Sequence, residues 1–554
     1  MVAWLCVTLP NLRPPPPQDQ LNYLEAAASF PNVPADPNAL GGTPDVTHQV
    51  LRFGLTLPTR LAIEVFGYSQ AAYYAVPLFT ALLLLVSVYA VGCLLFGRAV
   101  GAAGAVLVMT TTPIFREQSY LMPDLFSAAL FAAVVALCVA VRLRRLPRNA
   151  WVLLAIGTLL AWSYLVREFA VFGWPLVPVL LWRRGARRST ARDLIVVAIP
   201  VTVLVAVEMA LCWLMFKDPL LRLKVTSGHG QIVAAVQYAA TYRDLPRLEY
   251  VFVFPKGLPH YGEGRWMLGL LALAIIGGAA QIGARLWRLR DPATRIFRGA
   301  AGQGLALLFL WCALYWVPLT LLGGVLDPSA PKLRLILIRY WYPIYPAFVL
   351  GGLGAVWLLA RHVIRRLPGH LANRPTGRRL ARALPGLMAS RLADWRLARL
   401  LPGLIAIMVA AAPVVIATTH SWGIKATRVG GSTHFEAFRS WMAQYEKTPD
   451  GRSVTAVWTD TSTDGILQLF RSRPFGGQAW STPVRSWRES GPHPQAGDLL
   501  FTFGLDRRSR CLFCRLAMTR MLDVAHPRLG PVVFATPDNN LRVYRVLAPP
   551  AAPR

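Results

Sequence analysis

The chain has 554 residues, of which 55% are hydrophobic and 15% charged, and it carries a net charge of +31. So little charge cannot cover a water-soluble protein of this length, which excludes a soluble globular enzyme. Several apolar runs approach the roughly 20 residues that cross a bilayer, so the chain reads as a polytopic α-helical membrane protein.

The opening stretch "MVAWLCVTL" counts as a short first span; it lacks the basic n-region and small-residue cleavage site of a signal peptide. Ten further runs lie near 72–97, 99–114, 121–141, 150–165, 169–182, 193–216, 266–284, 300–325, 341–360 and 400–418, which predicts about eleven spans. The connecting segments alternate. The segments 142–148, 183–192, 285–298 and 361–399 are dense in arginine and contain only two acids, Asp291 and Asp394. The positive-inside rule assigns them to the cytoplasm, so the basicity is a topology signal and argues against a nucleic-acid partner. The acids gather in the other set of loops. The long basic linker 361–399 is expected to lie against anionic membrane lipid.

In chain order, the first outer loop, 11–70, begins with "RPPPPQDQLNYLEAAASF". Asp19 fits a helix N-cap, and it also shares a helix face with Tyr23, four residues on, where the pair could line a cleft. A carboxylate at a membrane mouth can take a proton from a hydroxyl. Residues 50–67 mix Arg52, Arg60 and Glu64 with Leu, Phe and Ile, as an interfacial helix does.

The next outer turn, "PIFREQSYLMPDLF", places Arg116, Glu117 and Asp124 within nine residues between two apolar spans. Asp124 suits the start of a helix, yet ionisable residues crowded at such depth are candidates for function. Arg167 and Glu168 stand alone in a tight outer turn, either as a salt-bridged turn or as site residues. Glu208 lies inside a span and calls for a basic partner that the sequence does not identify. The outer loop 217–265 carries Lys217 and Lys224 and is too long for a plain connection.

Before the late span "RYWYPIYPAFVLGG", three cations, Lys332, Arg334 and Arg339, break the charge rule on the outer side. An anionic headgroup or phosphate is the natural reason, with Tyr340 beside them. From about residue 421 the composition becomes soluble, and a small α/β domain is expected over 421–554, outside the membrane domain of 1–420. The expected elements are strands at 453–459 and 498–504, helices at 463–471 and 514–526, and a hairpin over 531–547 turning at 538–540. Cys511 and Cys514 form a CxxC suited to a local disulfide. Trp458, Trp480 and Trp487 suit a core better than a sugar platform. No internal repeat is evident, which counts against repeat-built transporters.

Three motifs in this order, "DQLNY", "LMPD" and "RYWYPIYP", resemble those of the polyprenyl-phosphate-sugar-dependent glycosyltransferases of the GT-C fold. That group includes protein O-mannosyltransferases, the aminoarabinose transferase of lipid A and actinobacterial arabinofuranosyltransferases. The segment "LPTRLAIEVFGYSQAAYYAVPLF" is similar to their jaw segment, and the resemblance spans roughly 11–360.

It implies that Asp19 is the catalytic base, that Asp124 positions the acceptor, and that Arg339 contacts the donor phosphate. Tyr23, Arg116, Glu117, Arg167, Glu168, Lys332, Arg334 and Tyr340 complete the expected substrate-binding set. Gln20 stands where several members carry a second acid.

The implied reaction is inverting transfer of a hexosyl or pentosyl unit from a polyprenyl-phosphate donor. The acceptor would be an envelope glycan, lipid or protein at the outer face of a bacterial cytoplasmic membrane. No metal is chemically required, although Asp19, Glu117 and Asp124 could hold a divalent ion through oxygen. The competing readings are a transporter or flippase of lipid-linked saccharide, a lipid-linked glycan ligase, and a non-catalytic envelope assembly protein.

Overall fold

The computed structural model describes residues 2–15, 19–32, 48–183, 185–226, 242–286, 300–333, 335–373, 395–421, 432–460, 463–487, 493–504, 518–519, 521–523 and 528–548. Its membrane part is helical, beginning with α1 (Val2–Thr8), α2 (Asp19–Ser29), α3 (Phe53–Phe66), α4 (Gln70–Phe96), α5 (Arg98–Thr110) and α6 (Thr112–Glu117). There follow α7 (Pro123–Arg142), α8 (Ala150–Val166), α9 (Leu176–Leu181), α10 (Arg187–Phe216) and α11 (Arg247–Gly257). The last are α12 (Gly264–Leu286), α13 (Ala300–Thr320), α14 (Tyr345–Asn373) and α15 (Trp395–Ile416).

Seven helical stretches among the described residues, built on α4, α7, α10, α12, α13, α14 and α15, are long and apolar enough to cross a membrane. The other expected spans are helical but shorter. Helix α5 has 13 residues and α1 has 7, so at 1.5 Å per residue they reach about 20 Å and about 10 Å, against a hydrocarbon core of about 30 Å.

Helix α7 is the central pillar: 89% of its apolar window is buried, against 11% for α10 at the periphery. Its alanine-rich stretch "SAALFAAVVALCVAV" keeps side chains short, so neighbouring helices approach closely on every side. One sharp bend follows α13, where Gly324 adopts φ = +140° and a Cβ would collide with the Tyr250 ring. Only glycine satisfies both the backbone and the contact.

Beyond the membrane helices lie α16 (Ser432–Tyr445), α17 (Pro449–Arg452) and α18 (Asp464–Arg471) around a five-stranded sheet. Its strands are β1 (Val457–Thr459), β2 (Val484–Ser486), β3 (Leu499–Phe503), β4 (Leu529–Ala535) and β5 (Leu541–Val546), in the order β2-β1-β3-β5-β4. The first three are parallel, and β5 runs antiparallel to β3 and β4. The β4–β5 hairpin turns through Asn539 at φ = +55°. Trp458, Trp480 and Trp487 are buried. Strand β2 and helix α16 carried no clear sequence signal, and most of 514–526, including Cys514, lies outside the described residues, as does Cys511.

Phe435, Phe438, Phe470 and Phe501 of this sheet domain share one hydrophobic cluster with Tyr23, Leu24, Tyr73, Met122 and Phe126 of the membrane part. The sheet domain is therefore packed onto α2 and the N-terminal ends of α4 and α7. Among the described residues, the arginine-rich segments 142–148 and 183–192 lie at the opposite helix ends, where Arg148 pairs with Asp193.

Candidate active site

Asp19, Arg116, Glu117, Asp124, Arg167 and Arg339 converge where α2, α6, α7, the turn after α8 and the short helical segment Ile338–Ile344 meet. Asp19 is the first residue of α2, so its carboxylate sits at the positive end of the helix dipole. In α7, Met122 occupies the cap position without a side-chain bond, Pro123 fixes the first turn, and Asp124 follows. Asp124 therefore does not cap its helix, and its carboxylate is free to face the cluster.

Arg339 stands between the two acids, with Nη1 3.7 Å from Asp19 Oδ2 and Nε 3.8 Å from Asp124 Oδ2. Arg167 approaches Asp124 from the other side, its Nε 3.2 Å from Oδ1. The Tyr340 ring lies beside both cations, 5.0 Å from the Arg167 guanidinium and 6.0 Å from that of Arg339. The side chain of Asp124 is 2% exposed and that of Asp19 48%. One carboxylate is enclosed by arginines, and the other opens to whatever enters.

Glu117 and Arg116 end α6. That helix is anchored by a distant acid: buried Glu263 accepts from the Thr112 N–H at 2.6 Å and from its hydroxyl at 3.0 Å. Glu117 Oε2 accepts from the Tyr342 hydroxyl at 3.3 Å, while Oε1 is buried with no hydrogen bond. Burial, reinforced by the charge of Asp124 and opposed by Arg339, pushes its carboxyl up to about 8. Glu117 thus keeps its proton near neutral pH.

Arg116 has a buried Nε without a partner. Burial first, then the nearby charge of Arg13, presses it below the usual guanidinium range. Among the described residues neither Arg13 nor Arg116 forms a salt bridge, and Tyr120, Tyr261 and Tyr342 stand around Arg116. Two enclosed cations without a counter-charge are a binding environment for an anion.

A second network lies on the other side of the Arg167–Glu168 turn. Glu168 faces Arg52 at 3.9 Å and Arg222 at 3.4 Å, and Arg222 is also paired with Glu208. Arg222 further donates to the Tyr164 carbonyl at 2.6 Å, and Arg52 donates to the hydroxyl of buried Tyr23. Arg222 is thus the partner that Glu208 calls for.

Lys332 is exposed and its backbone N–H donates to the Leu322 carbonyl at 3.0 Å; Arg334 lies outside the described residues. Lys217 sits over the Trp213 ring and Lys224 pairs with Asp218. The sequence reading missed Arg13 and Glu263. Arg13, a cation in an acid-rich outer loop, carried the same signal as Arg339; Glu263 carried none.

Among the described residues no three His, Cys, Asp or Glu side chains come together as a metal centre. The Arg339 guanidinium occupies the place between Asp19 and Asp124 that a cation would need. This donor set does not fit a divalent ion.

No protein-family model matches the sequence, and no curated protein matches it. Two solved structures of ArnT from Cupriavidus metallidurans, one apo and one bound to undecaprenyl phosphate, each match at TM-score 0.50 and 13% identity. Each match covers 100% of this chain and 99% of that one. The oligosaccharyltransferase of Archaeoglobus fulgidus in complex with Zn and sulfate matches at TM-score 0.45 and 12% identity, over 97% of this chain and 69% of its own. The fold is accordingly that of the GT-C architecture: a multi-pass helical membrane part followed by a small sheet domain.

Proposed function

We propose that the chain is an inverting glycosyltransferase that moves a sugar from a polyprenyl-phosphate donor to a hydroxyl acceptor. The observation that carries this reading is the half-exposed carboxylate of Asp19 facing Arg339 at 3.7 Å, with Arg339 also beside Glu117, next to which Arg116 and Arg13 form a second cationic pair. A base and a site for a leaving phosphate lie on one outer face. ArnT, an aminoarabinose transferase of the same fold, has been solved with undecaprenyl phosphate, a donor carrier of this class.

In this mechanism Asp19 takes the proton of the acceptor hydroxyl as that oxygen attacks the anomeric carbon. The bond from that carbon to the phosphate oxygen breaks, and the polyprenyl phosphate leaves with the electron pair. Because the leaving group is already a phosphate, it needs positive charge more than a proton. Arg116, Arg13 and Arg339 supply that charge, and Lys332 and Arg334 add to it. Asp124, held by Arg167, fixes Arg339 and the acceptor, and neutral Glu117 offers a hydrogen bond without repelling the phosphate. Tyr340 orients the two arginines, and Glu168 and Tyr23 act as positioning residues through the second network.

The arginine-rich loops support, by the positive-inside rule, a reading in which the opposite face and the sheet domain from about residue 421 lie outside the cytoplasmic membrane of a bacterium. A transporter or flippase would use Glu208 along a path, but that carboxylate is taken up by Arg222.

The test is Asp19→Asn in protein reconstituted with undecaprenyl-phosphate sugars and envelope acceptors. Loss of a catalytic base should lower transfer by about 10²–10⁴-fold with unchanged thermal stability. Undiminished transfer would discard Asp19 as the base.

A further inference from the structure

A cavity of about 730 Å³ lies where the α3–α4 junction meets the sheet domain, bounded there by α18 and the turn 471–478. Its size falls within the roughly 300–1,000 Å³ of small-molecule sites, which favour such domain junctions. Tyr68 and Tyr74 line the membrane side and Phe475 the other. The Tyr74 and Phe475 ring centroids are 6.5 Å apart with an interplanar angle of 32°.

Phe475 is 62% exposed, and a tight turn holds it there. The Arg473 N–H donates to the Gly477 carbonyl at 2.9 Å, and Gly476 and Gly477 adopt φ of +112° and +73°. Those angles favour glycine, so the turn is specifically shaped to present an aromatic ring at an open wall.

The polar side of the cavity has a definite character. Gln468 and Gln478 line it, and among the described residues neither side-chain amide has a hydrogen-bond partner. The Arg471 guanidinium is fixed by the Trp480 and Ser481 carbonyls and has no carboxylate opposite. Among the described residues no Asp or Glu lines the cavity. The exposed Phe475 ring, amides that both donate and accept, and one fixed cation suit a hydroxyl-rich chain with apolar C–H faces. Among the described residues no sheet strand lines this cavity, so it offers no strand edge for a peptide to extend. A lipid tail would leave the amides unpaired.

The cavity is also connected to the candidate base. Gly465 at the start of α18 packs against Glu25 of α2, and the Tyr68 hydroxyl donates to the Gly465 carbonyl at 3.3 Å. Asp19 and Glu25 are separated by about 9 Å along α2, and Gly465 and Arg471 by about 9 Å along α18. The cavity therefore lies on the order of 20 Å from Asp19 along these two helices.

We propose that this cavity is an acceptor subsite that binds a saccharide chain, whose terminal hydroxyl reaches Asp19. The assignment rests on the transferase reading and narrows its acceptor to a glycan. The experiment is fluorescence polarisation of full-length protein in nanodiscs with labelled arabinan, galactan and mannan oligosaccharides, a labelled unstructured peptide and labelled undecaprenyl phosphate.

At least one saccharide should bind. Phe475→Ala should weaken it roughly five- to tenfold, the scale of one aromatic contact, and Gln468→Ala with Gln478→Ala should weaken it too. Undecaprenyl phosphate binding should be unchanged in all of these. No saccharide binding, binding indifferent to Phe475, or capture of the peptide instead would overturn the proposal.

Asp19→Asn separates this from the enzymatic reading. Saccharide binding that survives in that variant, with no transfer by the wild-type protein, would retain the subsite and discard the transferase. Asp19-dependent transfer whose acceptor KM ignores Phe475→Ala would do the reverse.

Discussion

Two charge networks flank the turn Arg167–Glu168, and they are built differently. On one side Asp19, Asp124 and Arg339 sit at 3.7–3.8 Å, too long for hydrogen bonds, with Asp124 Oδ2 and Arg339 Nε unpartnered and Asp19 half open. On the other side Arg222 closes on Glu208, Glu168 and the Tyr164 carbonyl, with Glu208 and Arg222 both nearly inaccessible. Adjacent residues of one turn thus serve an open cluster and a closed one. Loosely paired ions at an opening keep their bonding capacity for a ligand, whereas fully paired buried ions hold elements in register.

The comparison breaks first, and by the largest amount, at Arg222. Arg222→Leu leaves two enclosed carboxylates without their main partner, and removing one side of a buried pair costs about 3–5 kcal/mol. Thermal unfolding in detergent should show a large drop in Tm and yield. Arg222→Leu with Glu208→Leu should recover much of it, because the stranded charge is removed as well. If the single variant were as stable as wild type, the closed network would not be structural.

Arg339→Ala is the counterpart in the open cluster. Losing one electrostatic donor should reduce kcat on the order of 10²-fold, with Tm moved far less than by Arg222→Leu. A matching stability loss would mean that both networks are structural.

What the sequence made legible depended on breaking a rule. Asp19, Asp124 and Arg339 stood out as charges at the outer ends of apolar spans, and the fold brings them together. The membrane part was legible because apolar runs are long and local, although α1 and α5 are too short for the spans expected of them. The partners were not legible. Arg222 and Glu208 lie on opposite sides of a chain reversal, Glu263 caps a helix begun at Thr112, and Arg13, in the coil before α2, meets Arg116 of α6. Such pairs are set by tertiary packing, which leaves no periodic trace. Strand β2, three residues long, was invisible for a related reason: its pairing with β1 defines it, and its composition does not.

The pH dependence of stability sharpens the comparison further. Glu117 titrates near 8 in the fold against an ordinary 4.5, chiefly through burial. Below pH 4.5 it is protonated folded or unfolded and makes no difference. Between 4.5 and 8 the unfolded chain releases the proton that the fold retains, so stability falls as pH rises, and it levels off above 8. Half-buried Glu25, raised to about 7 by burial and then by Asp464, acts in the same direction over a narrower window. Glu117→Gln should therefore gain Tm relative to wild type as pH moves from 5 to 8, and Glu25→Gln should gain it only up to about 7. A Glu117→Gln difference that does not change with pH would show that its carboxyl titrates normally.

The smallest effect belongs to Lys332, and its smallness is informative. Lys332 is exposed, its backbone N–H donates to the Leu322 carbonyl, and its ammonium acts on Asp327 rather than on the acids of the open cluster. A solvent-facing ammonium is screened by water and salt, so its pull on a phosphate is weak beyond a few ångströms. Lys332→Ala should change kcat/KM by less than about threefold at physiological ionic strength, and that difference should shrink in added salt. Arg339, enclosed and fixed between two carboxylates, should keep its effect in salt. Position at the opening, more than charge, would then decide which outer cations act on the donor, and equal salt-sensitive effects of Lys332→Ala and Arg339→Ala would refute that ordering.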